Sequence, residues 1–247
     1  ALVFVLLYIN TAAQNKYSLA ITGVDKDSAQ LVPALGLQTE FISRTACADY
    51  INKLPGLLQS KGYVTVSIDG VQYDSAAARI VLFAGNRYLW AQLDTRNVDP
   101  AMLDAIGWRE RNFTEKPMDF AQVELWQGKI LDYLENNGHP FARVQLDSVQ
   151  IQNENNNENG GTDFISALLK VNKGPLYKID SIRVYGNAKI TNSYLQRYLD
   201  IPNGSIYSKE KLLRINKKIK EFTYVQEESP SNLTWMGTGS VVNIYLK

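Results

Sequence analysis

One histidine, His139, and one cysteine, Cys47, limit the chemistry open to this chain of 247 residues. A lone cysteine forms no internal disulfide and no multi-cysteine zinc site, and a lone histidine removes most metal and acid–base constellations. Catalysis would have to rest on carboxylates, Lys, Tyr or Ser. The carboxylates are scattered and suggest no paired acid and base. The sequence has no Walker loop, no G-x-S-x-G and no dinucleotide fingerprint after a strand. The run Gly237-Thr238-Gly239-Ser240 is glycine-rich, but it lies between strand patterns and lacks the helix N-terminus that phosphate binding uses. The expectation is a protein that is not an enzyme and holds no metal or cofactor, with Cys47 and His139 structural.

The cationic residues are equally restrained. Lys and Arg number 26 against 25 Asp and Glu, a net charge of +1 that gives no electrostatic case for nucleic acid. The run KEKLLRINKKIKE over 209–221 gathers six Lys or Arg on one helical pattern, with Leu212, Ile215 and Ile219 facing inward. It reads as a solvated face in preference to a lipid-headgroup or acidic-partner site.

The elements around these residues come in a repeated order. At the N-terminus, nine apolar residues, Ala1–Ile9, precede a polar break and Ala12-Ala13. That pattern resembles the apolar region and cleavage site of a secretory signal, so 1–13 is read as a signal remnant and the compartment as outside the cytoplasm. The apolar run is shorter than the roughly 20 residues that span a bilayer. No cysteine sits near the cleavage site, which argues against a lipoprotein. The chain does not begin with Met, which reads as a fragment.

Three passes of strand–helix–helix–strand–strand follow, giving expected modules over 14–86, 87–174 and 175–247. The strands alternate apolar and polar residues, as half-buried strands do. In the first pass, Tyr17–Val24 is a strand, helices fit 28–36 and 45–60 with Pro55 kinking or dividing the second, and Val64–Ile68 and Ala78–Phe83 are strands. The second pass begins at Tyr88, has helices over 99–106 and 118–136, and strands at about 141–151 and 163–172. Between these lies the polar run 152–161, read as a flexible hairpin tip. The third pass begins at Tyr177, with helices over 191–199 and 208–222 and strands near 223–227 and 240–246. Each module is predicted to be a three-stranded mixed sheet with two helices on one face, an α+β fold.

The turns G-x-x-Y at Gly85–Tyr88 and Gly174–Tyr177, the strand ending in Gly186-Asn187, and the run PNGSIYSKEKL with Asn203-Gly204 resemble POTRA domains. These are the periplasmic modules of the BamA/TamA-like outer-membrane barrel-assembly and translocation family. The third pass carries the motif most fully. The first has Thr22-Gly23-Val24 where Gly-Asn is expected, and the second has Asp94-Thr95-Arg96-Asn97. The resemblance implies an elongated periplasmic arm that binds unfolded outer-membrane or secreted polypeptides, with accessory assembly proteins as further partners. It also implies attachment to the outer membrane through a C-terminal barrel, absent from this chain. The alternative is a scaffold docking a partner protein, as in two-partner secretion or a division complex. Family modules bind by β-augmentation, in which an edge strand pairs with an extended peptide. The candidate edges are the second strands, through Val64, Val66 and Ile68; Phe141, Arg143 and Gln145; and Tyr224 and Gln226. Gly85, Tyr88, Gly174, Pro175 and Tyr177 are the expected joints. Gly186, Asn187, Asn203 and Gly204 are expected to be backbone turns.

Overall fold

A computed structural model describes residues 16–154 and 161–247, so the signal-remnant reading and most of the polar hairpin tip fall outside the described residues. The described chain divides into two compact units. One holds the residues up to 91 with 113–121 and 150–165; the other holds 92–112, 122–149 and 166–247.

The first unit opens with β1 (Tyr17–Gly23), whose Tyr17, Leu19 and Ile21 point into a core while the residues between them face out. Helix α1 (Ser28–Leu35) starts where the Asp27 side chain accepts the Ala29 N–H, and it stops at left-handed Gly36. A short strand β2 (Glu40–Phe41) leads to α2 (Arg44–Gln59), which the Ser43 side chain caps through the Ala46 N–H. Pro55 neither divides nor ends α2, which runs on to Gln59. A proline inside a helix costs about 3 kcal/mol. Burial of one leucine side chain recovers about 1.5–3 kcal/mol, and Cys47, Ile51, Leu54 and Leu58 form a buried stripe on both sides of the proline. Packing therefore outweighs the lost hydrogen bond. The unit continues into β3 (Ser67–Tyr73) and β4 (Ala77–Phe83).

The second pass supplies β5 (Arg87–Asp94), α3 (Pro100–Ala105) capped by Asp99, a short 3-10 turn at Glu110–Asn112, α4 (Phe120–Asn136), β6 (Arg143–Glu154) and β7 (Thr162–Asn172). The third supplies β8 (Lys178–Gly186), α5 (Asn192–Leu199) capped by Thr191, β9 (Ser205–Ile206), α6 (Lys209–Leu213), α7 (Ile215–Ile219), β10 (Glu227–Met236) and β11 (Gly239–Leu246). The helix expected over 208–222 is thus two pieces. Arg214 between them keeps right-handed helical angles, so the interruption is a local loosening and the chain does not turn there.

Sheet topology repeats. The orders are β2-β1-β4-β3, β5-β7-β6 and β10-β11-β8-β9. In the outer two, the first strand of the pass runs parallel to the last, pairing Ile21 with Ile80 and Ile182 with Val242. The second strand then pairs antiparallel with the last, on its far side. Both outer sheets hold four strands where three are expected, because the segment between the two helices adds β2 or β9 beside the first strand. The middle pass makes the same contact with one bridge, Leu89 opposite Pro117. Two residues of ladder leave too short an alternation to be read from sequence. One face of each outer sheet carries the core, with Ile80 and Leu82 in the first and Ile182, Ile244 and Leu246 in the third.

Gly186 and Gly204 both have positive φ, 101° and 76°. They differ in what a side chain would meet. A Cβ at Gly186 would collide with the carbonyl of Leu246, whereas at Gly204 it would enter open space. Gly204→Ala should cost only the left-handed penalty of about 1–2 kcal/mol. Gly186→Ala should cost clearly more, because backbone must also move. Urea titration followed through the β8 and β11 amide signals checks the order; equal losses would contradict it.

Candidate functional site

The groups best placed to act on a partner are backbone donors and acceptors. In each sheet the second strand of the pass, β3, β6 or β10, is an outer edge with, among the described residues, a neighbour on one side only. Such an edge presents unpaired N–H and C=O groups to an incoming chain.

The edges begin later than expected, and this moves several candidate residues. Val64 and Val66 precede β3: the Val66 N–H closes a turn onto the Tyr63 carbonyl at 3.2 Å, and Val66 is buried in the core. Ile68 lies on the edge itself, next to a bulge between Ile68 and Gly70. The same turn recurs one pass later, with the Ala142 N–H on the His139 carbonyl at 3.2 Å, so Phe141 also precedes its strand. Arg143 and Gln145 lie on β6, where with Lys170 and Asn172 they border a shallow hollow of about 130 Å³. Further along β6, Lys170 holds the Asp147 carboxylate at 2.8 Å and keeps it below the ordinary carboxylate range. Tyr224 and Gln226 precede β10. Gln226 exchanges two 2.9 Å backbone hydrogen bonds with Lys247, while Tyr224 is 94% exposed.

β10 is irregular between Glu227 and Asn232, around Pro230, and regular from Asn232 to Met236. Proline cannot donate to a ladder, so the regular segment is the usable part of this edge. Beside it opens a cavity of about 230 Å³ between α6 and the sheet, lined by Leu212, Leu213, Ile215, Leu233 and Val242 with polar groups including Lys209 and Asn232. Sequence reasoning missed this cavity. The adjacent pair Leu212-Leu213 was its one signal, since a single helix face cannot bury both.

The strand-starting tyrosines share a backbone arrangement. The Tyr88 N–H donates to the Gly62 carbonyl at 2.8 Å, and the Tyr88 carbonyl accepts the Met118 N–H at 2.9 Å. One pass later, the Tyr177 N–H donates to the Gly138 carbonyl at 2.7 Å, and its carbonyl accepts the Tyr207 N–H at 3.0 Å. Each tyrosine thus links the glycine that stops the preceding long helix to the residue two positions before its own pass's second helix. Gly62 and Gly138 have φ of 97° and 90°. A Cβ at Gly62 would crowd the Tyr88 carbonyl, and one at Gly138 would strike Leu176 and Ile206.

Side chains reinforce each place differently. Near Gly85, the Asp25 carboxylate accepts the Ala84 and Gly85 N–H groups at 2.9 Å each, and Lys26 donates to the Gly85 carbonyl at 2.5 Å. Burial pushes the Lys26 ammonium below its ordinary pKa. At Tyr177, Phe141 and Trp235 sit with ring centroids at 5.2 and 5.3 Å, and Tyr207 approaches Trp235 at 5.6 Å. Phe141 is therefore an aromatic partner of Tyr177 and not an edge residue. The Pro175 carbonyl faces His139 Nδ1 at 3.2 Å, and the Gly174 N–H donates to the Asn172 side chain. Asn136 Oδ1, at the end of α4, accepts the Glu210 N–H at 2.8 Å and lies 3.2 Å from the Ser208 hydroxyl, clamping the start of α6. Lys209 completes the clamp on Glu135 at 2.5 Å; that hydrogen bond raises its pKa above the ordinary lysine value. The Asn136 clamp was invisible in sequence because its partners lie more than seventy residues apart.

Among the described residues no group of three or more His, Cys, Asp or Glu could hold a metal ion. No described helix is long and apolar enough to cross a membrane. Cys47 is buried in α2, and that burial raises its thiol pKa.

The family model described as "POTRA: Surface antigen variable number repeat" matches residues 177–226, so the third pass carries a POTRA domain. No curated protein matches the chain. Among solved structures, the chain is similar to BamA POTRA domains 3–5 of Haemophilus influenzae at 14% identity, covering 94% of this chain and 96% of that one with a TM-score of 0.47. POTRA domains 1–3 of Omp85 from Anabaena are similar at 12% identity over 94% and 95% of the two chains, TM-score 0.33. BamA of Haemophilus ducreyi lacking POTRA domains 1–3 is similar at 15% identity over 66% of this chain but 29% of that one, TM-score 0.41.

Asn136→Ala should cost about 1 kcal/mol, the usual value of a capping interaction. Hydrogen exchange should locate the loss: the Glu210 amide should exchange faster, while Ile130 and Leu134 inside α4 keep their protection. Unchanged exchange at Glu210 would show that the clamp is not holding α6.

Proposed function

We propose that this chain is the periplasmic POTRA arm of an outer-membrane barrel protein, receiving unfolded outer-membrane or secreted polypeptides as extended strands and delivering them for assembly or translocation. One observation carries the reading: in all three sheets the second strand is an outer edge, and among the described residues each edge keeps a run of ladder positions with no partner on its open side. Backbone pairing suits clients of many sequences, since it needs main-chain donors and acceptors more than any particular side chain. The apolar cavity beside Asn232–Met236 favours β10 for clients whose strands alternate apolar and polar residues, as barrel strands do.

In this reading the modules are 14–86, 87–174 and 175–247, and the barrel that receives the client lies outside the chain. Gly85 with Tyr88, and Gly174 and Pro175 with Tyr177, are the joints. The paired backbone bonds to Gly62 and Gly138 support that role, because they tie the end of one pass to the start of the next.

The test is titration with a barrel-strand peptide and with the same peptide N-methylated at alternate residues. The parent should bind weakly, with little dependence on salt, and shift the edge amides of β3, β6 or β10. N-methylation should weaken binding by about tenfold or more, as each lost backbone hydrogen bond is worth about 1 kcal/mol. Equal affinity for the two peptides would instead favour a scaffold that reads side chains. Absence of edge shifts with the parent peptide would refute the reading.

A further inference from the structure

The basic run 209–221 is not used by the edges, and the structure divides it in two. Its first half is neutralised internally: Lys209 pairs with Glu135, Lys211 with Asp200 at 2.7 Å, and Arg214 with Glu210. Its second half is not. Among the described residues, no carboxylate lies within ion-pair distance of Lys217, Lys218 or Lys220. The nearby Glu221 carboxylate is instead engaged by the Tyr198 hydroxyl at 2.7 Å.

Aromatic rings adjoin these lysines. Lys218 donates to the Tyr198 carbonyl at 2.8 Å and sits 5.7 Å from the Tyr198 ring centroid. Tyr198 stacks on Tyr194 with the rings 7° from parallel, and Phe222 closes the group 4.6 Å from Tyr198. Tyr194 remains 46% exposed. Tyr198 and Phe222 pack partly against the core, and lysines at the end of α7 suit the helix dipole, but neither fact gives a reason for the exposed Tyr194 ring beside them.

We propose that this face of the third pass, Lys217, Lys218 and Lys220 with Tyr194 and Tyr198, docks on an anionic phospholipid surface. Charge complementarity chooses the sign of the partner, and the residue types choose its kind. A specific acidic peptide is best gripped by arginine forks of fixed geometry. On this face the cations are lysines, point charges suited to a diffuse negative surface; Lys217 and Lys220 are exposed, while Lys218 keeps its hydrogen bond to the Tyr198 carbonyl. Tyrosines with an apolar body and a polar tip belong at the headgroup level of a bilayer. The surface uses no edge strand, so it operates independently of client binding.

Vesicle sedimentation of the full chain tests it, using phosphatidylglycerol mixed with phosphatidylcholine and phosphatidylcholine alone. Binding should require the anionic lipid and fall steeply as salt is raised. Near an anionic membrane each lysine contributes about fivefold in affinity, so K217Q/K220Q should weaken binding about 25-fold. Both side chains are exposed, so the variant should keep its circular dichroism spectrum. Equal binding to both vesicle types, no loss in K217Q/K220Q, or binding of an oligoglutamate peptide without binding of anionic vesicles would each overturn the proposal. The salt dependence separates this surface from the edges, whose peptide binding should persist at high salt.

Discussion

Parallel pairing of the first and last strands within a pass is the constraint on which the remaining architecture depends. A parallel pair cannot be joined by a tight turn; its connection must cross over the sheet and is usually helical. In the outer sheets this connection includes both helices, which cover the core face through residues such as Leu54, Leu58, Leu195 and Ile219. The strand before the last then has only one side of the last strand left to occupy. It becomes the edge. Exposure of β3 and β10 is therefore a consequence of chain order and not of any particular edge residue.

The same constraint accounts for what the sequence made legible. Alternation in strands such as Tyr17–Gly23 and Thr162–Asn172 and the helical patterns between strands are local signals, each readable within a few residues. Their triple recurrence gave the α+β class and the element order. Details set by distant partners were not legible. The ladders β2 and β9 exist only because Phe41 and Ile206 meet Tyr17 and Lys178 across a sheet. Pro55 suggested a break in α2 because proline's local cost is plain in sequence, whereas the burial that overrides it is not. Val64, Val66 and Phe141 look like strand residues, so the sequence puts the strand starts too early; the turns that consume their backbone depend on the glycine stops before them.

Two kinds of interaction are thus separated on the third pass. β10 offers backbone hydrogen bonds beside an apolar cavity, while the end of α7 offers unpaired charge beside stacked aromatic rings. The first depends little on ionic strength; the second is screened over about 10 Å at ordinary salt. At the start of the pass, the Gly138–Tyr177 bond, the Asn136 clamp and the Phe141–Tyr177–Trp235 cluster join backbone, polar and aromatic contacts. Their combination fixes where β8 begins relative to the end of α4.

Hydrogen–deuterium exchange of the outward-facing amides of β3, β6 and β10, with and without a saturating extended barrel-strand peptide, tests the central claim most directly. Capture by strand addition predicts that alternate edge amides become protected while amides already paired with β4, β7 and β11 keep their rates. Protection confined to loops or helices, or no edge protection at saturation, would contradict it.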